Sequence, residues 1–575
     1  MIIAVLIKRI PDLSELKFDV KTGRLIREGV KSIINPLDKN ALEEAIRIKE
    51  TIGCSVTAVS MGPPSASESL NFALKMGVDQ AILISDRDFA GSDTLVTARI
   101  LSEALKKIKP DLVLAGDFSL DASTSQVPPE VAERLHFNFV SSASRIEISE
   151  DLLTATVEQQ DQESIVSMSV PLPAVISVGE KINKPRYVRA STPDMSDRIT
   201  VWDSSVVASG ISGTKDSATF VDGTTVLDRG RKVRFLVSSD EAVNVIMDIV
   251  GKQPTTGKEG TISPVQIRGK GYVMGLALHD PETSVEIASK LYELTDGSDL
   301  SVEMVGTIDP DKLKGMPCHR YTYLGDSDII AVTDYLQKRI FERKPKFVIF
   351  PSNIPGREIA ARIAARMDLG LTADCVGLEF TGDELVQLKP AFGDGLISRI
   401  RSRTAPQLTT VRPGIFEAVK MNVNMEVEIL KLNQRSPIKI LNKKFLPSQF
   451  RPLRGSRIIL SIGRGATDAT TIEMVKDAAG KLGAGIGGSR PVIDTGLLPP
   501  QQQVGITGLS VSPDLYVALG ISGDANHVAG IRYANKVLAV NSDKSAPIFK
   551  YADYGLVCDA GEFMKTLLDT IKNRS

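Results

Sequence analysis

Three segments of this chain recur at a nearly constant distance, and that recurrence limits the fold more than any other feature. Lys109-Pro110-Asp111-Leu112-Val113-Leu114 is answered 235 residues later by Lys344-Pro345-Lys346-Phe347-Val348-Ile349. Val131-Ala132-Glu133-Arg134-Leu135 is answered after 232 residues by Ile363-Ala364-Ala365-Arg366-Met367, and Pro173-Ala174-Val175-Ile176 after 233 by Pro406-Gln407-Leu408-Thr409. Such an offset indicates two copies of one unit. Within the first copy, short apolar runs (2–8, 55–60, 80–84, 112–115) alternate with helical patterns (41–50, 65–76, 95–108). This alternation predicts an α/β fold with mostly parallel sheets.

The 575 residues exceed two such units, and roughly four domains are expected at about 150 residues each. Residues 204–223 are rich in Ser, Gly and Thr and read as a linker or surface arm. Residues 240–249 form an isolated amphipathic helix with Asp240 as an N-cap candidate. A lone helix cannot bury its face, so it should dock on another domain. Residues 253–263 again read as linker, and the second copy starts near Gly271. A third αβ domain follows from Ser456. The expected boundaries are 1–205, 206–262 (arm and docking helix), 263–435, 436–455 (linker) and 456–575.

A net charge of −1 provides no field to gather nucleic acid or an anionic membrane. Cys54, Cys318, Cys375 and Cys558 form no C-x-x-C pair, so no metal site is expected, and scattered thiols fit a reducing, cytoplasmic setting. No apolar run reaches membrane-spanning length.

The third domain carries the chemistry. The strand 458–462 runs through Gly463-Arg464-Gly465 into a helix, and 515–519 runs through Gly520-Ile521-Ser522-Gly523 into another. Strand–Gly loop–helix junctions expose backbone N–H groups and a positive dipole end to phosphate, and Arg464 adds a guanidinium. Gly483-Ala484-Gly485-Ile486-Gly487-Gly488 has the dinucleotide spacing but follows a helix, so it is discounted as a nicotinamide site. Ser489, Arg490, Gln503, Val504, Gly505, Thr507, His527, Asn541 and Asp553 add polar groups and close backbone among small residues. Such a set suits a flavin, with Arg490 and His527 as candidate cations for its N1/O2 edge; a lone His is otherwise most often a packing residue.

These residues fall into a recognisable series. Gly488-Ser489-Arg490-Pro491-Val492-Ile493-Asp494, Gln503-Val504-Gly505-Ile506-Thr507-Gly508, Leu519-Gly520-Ile521-Ser522-Gly523, His527-Val528-Ala529-Gly530 and Ala552-Asp553-Tyr554-Gly555 resemble the FAD domain of the electron-transfer flavoprotein α subunit. The second copy, with Gly356-Arg357-Glu358 and Gly370-Leu371-Thr372-Ala373-Asp374-Cys375, resembles that subunit's N-terminal domain. The first, with Asn35-Pro36-Leu37-Asp38, Glu43-Glu44-Ala45 and Asn183-Lys184-Pro185-Arg186-Tyr187, resembles the β subunit. The resemblance implies a β–α fusion: two related Rossmann-like nucleotide-binding domains plus a third α/β FAD-binding domain.

By that resemblance Arg464 and Ser489 hold FAD, Arg490 lies against the isoalloxazine and stabilises the reduced or anionic flavin, and Thr507 bonds near N5. Ser522 and Gly523 meet the pyrophosphate, His527 faces the O2 edge, and Asn541 and Asp553 hold the adenosine end. Ile506 replaces a usual Gln. Asp524 replaces a small apolar residue, so its carboxylate is expected to turn to solvent or cap the helix. The β-like half is implied to hold a second nucleotide at loop 116–129, where Asp121, Thr124, Gln126, Val127 and Pro129 match the pattern of bifurcating members; this leans to FAD over AMP. After Tyr187, the run Val188-Arg189-Ala190-Ser191-Thr192-Pro193-Asp194-Met195 lacks the exposed Leu with which carrier members dock on acyl-CoA dehydrogenases. The implied function is an electron carrier from flavin dehydrogenases to a membrane quinone oxidoreductase, as in fatty-acid β-oxidation, without membrane insertion or nucleic-acid binding. The alternatives are an electron-bifurcating, NADH-oxidising protein with two FAD, and a flavin dehydrogenase with its own organic substrate; the sequence carries no separate catalytic constellation for the last.

Overall fold

A computed structural model describes residues 1–12, 17–19, 24–26, 30–161, 164–226, 231–251, 271–381, 384–392, 396–421, 425–446, 450–453, 455–505 and 508–574. The chain divides into two compact units. One comprises Met1–Thr225 and the described residues of 259–444; the other comprises the described residues of 226–258 and 445–574.

The first unit holds both copies, and their sheets agree strand for strand. In the first copy the order is Gln80–Ile84, Ser55–Met61, Ile2–Leu6, Leu112–Gly116, Ala174–Val178, Asn138–Ile148. In the second it is Arg320–Tyr323, Leu300–Gly306, Gly271–Ala277, Phe347–Pro351, Gln407–Val411, Leu371–Cys375. A further parallel strand flanks each sheet at the same end, Ile199–Trp202 and Glu426–Ile429. Strands such as Leu112–Gly116 and Phe347–Pro351 are buried at every residue, as parallel strands covered on both faces must be. The recurrent Lys-Pro has a local cause. Helices Thr94–Ile108 and Ile329–Arg343 each start on an Asp cap, Asp93 or Asp328, and each ends on a left-handed lysine, Lys109 (φ 55°) or Lys344 (φ 49°). The proline that follows cannot continue the helix.

The next helices, Val127–Leu135 and Ile354–Met367, pack on each other and join the two copies. Glu133 accepts from Arg362 Nη1 and Arg366 Nε, both at 2.6 Å, while Arg362 also pairs with Glu358. Arg134 reaches Asp368 at 2.7 Å.

Part of the run expected to be an arm is sheet. Thr219–Val226 pairs in a four-stranded sheet with Leu396–Ser402, Glu384–Ala391 and Gly377–Thr381. Thr219, Phe220 and Val221 give that strand its β-forming character. Within 436–455, the solvent-exposed strand Lys439–Phe445 adds to the edge of the first copy's sheet beside Ser164–Pro171.

The second unit is a six-stranded parallel sheet in the order Arg234–Phe235, Tyr554–Val557, Lys536–Asn541, Leu515–Leu519, Ile458–Ile462, Gly485–Gly488. Its core includes the helix that needed a partner. Ser239–Gly251 packs on the final helix Ala560–Arg574, with Ala242, Val243, Ile246 and Ile249 in one apolar cluster with Phe563 and Leu567. The helix begins at Ser239, which puts Asp240 in its first turn; Ser238 Oγ accepts from Glu241 N at 3.3 Å and does the capping. The expected linker 253–263 lies outside the described residues.

Candidate functional site

In an open parallel sheet, ligands bind beyond the carboxyl ends of the strands. Four neighbouring strands of the second unit end in sequence-predicted residues: Gly485–Gly488 in Ser489-Arg490, Ile458–Ile462 in 463–465, Leu515–Leu519 in 520–523, and Lys536–Asn541 in Asn541 itself. The two Gly loops touch. Gly465 N donates to Gly520 O at 3.0 Å, and Gly463 N donates to Leu519 O at 2.7 Å. Gly520 (φ +61°) would place a Cβ 2.5 Å from the Gly465 carbonyl carbon, and Gly523 (φ +90°) would place one 2.3 Å from Ile548 N. Only glycine fits either position. Asn541 Nδ2 donates to Ile521 O at 2.9 Å and fixes the same loop.

Arg464 and Ser522 are exposed on these loops, and Ser489 is buried at the start of helix Arg490–Asp494. Arg490 is half exposed, with Asp494 at 3.6 Å. The segment 503–505 docks on the end of the Gly485–Gly488 strand: Val504 N donates to Gly488 O at 2.9 Å, and Leu509 N closes the loop on Gln503 O at 2.8 Å. Gly505 lies against helix Ala525–Ile531. Thr507 and Ile506 lie outside the described residues. Asp524 is exposed and caps that helix, accepting from Asn526 N at 2.9 Å, so its carboxylate is spoken for.

His527 differs from a cationic reading. It is buried, its Nε2 is 2.9 Å from the Tyr516 hydroxyl, and its Nδ1 makes no hydrogen bond. Burial pushes the imidazole down to about 4, against smaller upward pulls from the Val504 backbone and the Asp524 carboxylate, so the ring is neutral at pH 7. Asp553 is not brought together with the others. Its carboxylate accepts from Val537 N at 2.8 Å and pairs with Arg231, which places it at the amino end of strand Lys536–Asn541, the edge opposite Asn541. The acid on the ligand edge is Asp559, just past strand Tyr554–Val557 and next to Asn541, whose carbonyl accepts from Cys558 N at 3.2 Å. The sequence signal for it was the carboxyl end of the last strand.

The donor set fits FAD. Two tight Gly loops with an exposed guanidinium and hydroxyl suit a pyrophosphate, and Arg490 supplies a cation.

In the first copy, loop 117–126 runs from Leu112–Gly116 to helix Val127–Leu135, with Ser123 and Ser125 in left-handed conformations (φ 48° and 53°). Much of its polar chemistry is turned inward. Asp121 pairs with Lys8 Nζ at 2.7 Å. Gln126 is buried, accepting from Thr94 Oγ1 at 2.7 Å and donating to Leu371 O of the second copy at 3.0 Å. Asp117 accepts from the Ser142 and Ser177 hydroxyls, each at 2.7 Å. Thr124 is half-buried, and Val127 opens the helix. Asn35 holds the loop by accepting from Leu120 N and donating to Phe118 O, and Asp38 beside it is fully buried, its pKa pushed up to about 7 by that burial. A small cavity at the loop is lined by Asp117, Ser125, Ser142 and, from the second copy, Arg357 and Glu358. Lys8 was not anticipated as part of this cluster. Its signal was the Lys8-Arg9 pair that stops the first apolar run.

Among the described residues no group of acidic, His and Cys side chains has a metal-binding arrangement, the four cysteines are free thiols, and no helix is long and apolar enough to cross a membrane.

Comparison with known proteins agrees with the architecture. The electron transfer flavoprotein domain model matches residues 22–206 and 322–436, and the electron transfer flavoprotein FAD-binding domain model matches 452–532. The electron transfer flavoprotein β subunit of Thermoanaerobacterium thermosaccharolyticum is 46% identical over 187 residues, 32% of this chain and 71% of that subunit. The α subunit of the same organism is 37% identical over 238 residues, 40% of this chain and 72% of that subunit. The LctC subunit of the NAD(+),ferredoxin lactate dehydrogenase of Acetobacterium woodii is 30% identical over 364 residues, 61% of this chain and 82% of that subunit. With β-subunit relatives matching its first part and α-subunit relatives its remainder, the chain belongs to the electron transfer flavoprotein family as a β–α fusion.

Proposed function

We infer that the chain carries electrons through FAD bound in the 450–574 unit, from flavin dehydrogenases to a membrane quinone oxidoreductase. The observation that supports this reading is the meeting of the 463–465 and 520–523 loops at the carboxyl ends of adjacent strands, flanked by Ser489-Arg490 and Asn541. Bound FAD supplies the one- and two-electron chemistry. The chain's own groups bind and tune it. Arg464, Ser522 and the N–H groups of 520–523 hold the pyrophosphate. Asn541 keeps that loop in place, and on topology Asp559 takes the adenosine-end role expected of Asp553. Arg490 brings positive charge to the ring and favours its reduced, anionic form. Thr507 remains the proposed donor near N5, with Gln503, Val504 and Gly505 shaping the same rim.

The second nucleotide belongs to loop 117–126 of the first copy, with Thr124, the left-handed serines and the N-terminus of Val127–Leu135 facing its phosphate, and Asp121, Gln126 and Val127 holding the loop's shape. FAD is favoured there over AMP by the match of this loop to bifurcating members. That match also supports a second reading, an NADH-oxidising, bifurcating protein with two FAD, and the LctC relative, named for NAD(+) and ferredoxin, fits it. Extraction of the purified chain decides. Two FAD per chain with rapid anaerobic reduction by NADH favours bifurcation. One FAD plus one AMP, with no reduction by NADH, favours the simple carrier. A chain purified without flavin refutes both.

A further inference from the structure

A guanidinium that no carboxylate neutralises, held in one place at the wall of a cavity, is a prepared partner for an anion. Strand Leu396–Ser402 and the residue after it carry three arginines, and the first two are matched by acids. Arg399 pairs with Glu379 at 2.9 Å, and Arg401 pairs with Asp222 at 2.9 Å and with Glu384. Among the described residues Arg403 has no acidic partner. Its Nη1 donates to Thr214 O at 2.9 Å and to Ser217 O at 2.8 Å, and its guanidinium lies 4.9 Å from the centroid of the Phe220 ring. The Nε and Nη2 donors make no hydrogen bond with the described residues.

Arg403 lines a cavity of about 250 Å³ where the first copy, the 213–221 segment and the second copy meet. Its walls are fixed by close backbone packing. A Cβ on Gly213 would lie 2.4 Å from Ala90 O, and one on Gly91 would lie 2.6 Å from Thr214 Oγ1. The hydroxyl protons around the cavity are already used. Ser92 Oγ donates to Phe89 O at 2.7 Å, Thr214 Oγ1 to Ala90 O at 3.1 Å, Ser217 Oγ to Gly213 O at 2.6 Å, and Thr219 Oγ1 to Asp93 Oδ2 at 3.0 Å. Asp93, the acid in the wall, also accepts from Val96 N and Thr219 N. Arg403 is therefore the side-chain donor left for a ligand, and Phe220, Val221 and Ile400 supply an apolar wall beside it.

We propose that this cavity binds a small carboxylate with an apolar body. The carboxylate takes the Nε and Nη2 edge of Arg403, whose planar fork matches its two oxygens, and the body packs on Phe220, Val221 and Ile400. A phosphate dianion fits less well, because one guanidinium balances only part of its charge and the Asp93 carboxylate shares the cavity. The volume lies just below the range of drug-sized pockets, about 300–1,000 Å³, which suits a ligand the size of benzoate. The site is separate from loop 117–126 and from the FAD-binding unit, so it does not depend on either nucleotide.

The test titrates the full chain with benzoate and with benzamide, its neutral isostere, by calorimetry. Benzoate is expected to bind with a Kd on the order of 1 mM. Benzamide should bind about tenfold more weakly, the usual worth of a hydrogen bond to a charged group. Arg403→Gln should lose about the same factor for benzoate and leave benzamide unchanged. Inorganic phosphate at equal concentration should not displace benzoate. No saturable benzoate binding at ten times that concentration overturns the proposal, as does equal affinity for the two probes, unchanged benzoate binding in Arg403→Gln, or displacement by phosphate. If Arg403→Gln does not fold, Val221→Trp decides. Val221 is 58% exposed, so the strand tolerates a larger side chain there, and filling the cavity should remove benzoate binding. Benzoate affinity equal to the parent's in that variant overturns the proposal too.

Discussion

Glu133 sits where the helices joining the two copies pack on each other, and Glu133→Gln removes its charge while keeping its shape. In the parent, both guanidinium contacts are 2.6 Å long, and Glu133 and Arg362 are only 11% and 5% exposed. Two unit charges about 4 Å apart at an effective dielectric of about 20 attract by about 4 kcal/mol. Arg362 keeps Glu358 and Arg366 keeps Asp334 after the change, so neither cation is stranded. The expected loss is therefore at or just below the low end of the range for breaking a buried pair, about 2–3 kcal/mol. Differential scanning calorimetry of the full chain should show the transition of the first unit moving down and that of the second staying put; separate transitions are the norm for such chains. Lys314→Gln is the control, because its pair with Asp311 is exposed on both sides and should matter little. Adding Arg366→Gln to Glu133→Gln should cost less than the sum of the two single changes, since they share a contact. If Glu133→Gln moves the first transition no more than Lys314→Gln does, the ion cluster does not hold the copies together and the reasoning fails.

Gly520→Ala should empty the FAD site: the left-handed strain of about 1–2 kcal/mol adds to a backbone clash with Gly465, so FAD per chain drops several-fold while the first unit keeps its melting temperature. FAD content equal to the parent's would contradict the tight-loop argument. Asp38→Asn tests a pH dependence. The Asp38 carboxyl binds its proton more tightly in the folded chain (about 7) than in the unfolded one (3.8), so its contribution to stability declines as pH rises between those values. The melting temperature of the first unit, compared at pH 5 and pH 8, should fall less in Asp38→Asn than in the parent; equal slopes would mean that Asp38 titrates normally.

Much of the fold was legible because local chemistry and topology coincide. Lys109-Pro110 and Lys344-Pro345 recur because each lysine closes a helix in the left-handed conformation before the same strand. The Gly junctions at 463–465 and 520–523 were readable because parallel strands place their loops on one edge. The failures are equally physical. Gly485–Gly488 is a strand built almost wholly of glycine, so no β-branched pattern marks it, and tertiary pairing with Ile458–Ile462 and with the 503–504 segment holds it there. Asp553 and Asp559 lie on either side of a four-residue strand, and that short interval separates the two edges of the sheet; motif order cannot tell one edge from the other. The neutrality of His527 comes from burial under residues distant in sequence, which a lone imidazole in a polar-looking stretch does not reveal.

The donated helix Ser239–Gly251 also has a consequence during synthesis. Its apolar residues Ala242, Val243, Ile246 and Ile249 leave the ribosome long before the strands and final helix they pack with. At about 5–20 residues per second, the roughly 200 residues between Gly251 and Ile458 take on the order of 10–40 s to make. For that interval the first copy has all of its own strands while the helix carries an uncovered apolar face. The nascent chain thus presents a sticky segment beside an already foldable domain, a window in which a chaperone or the matching segment of another chain can reach it first.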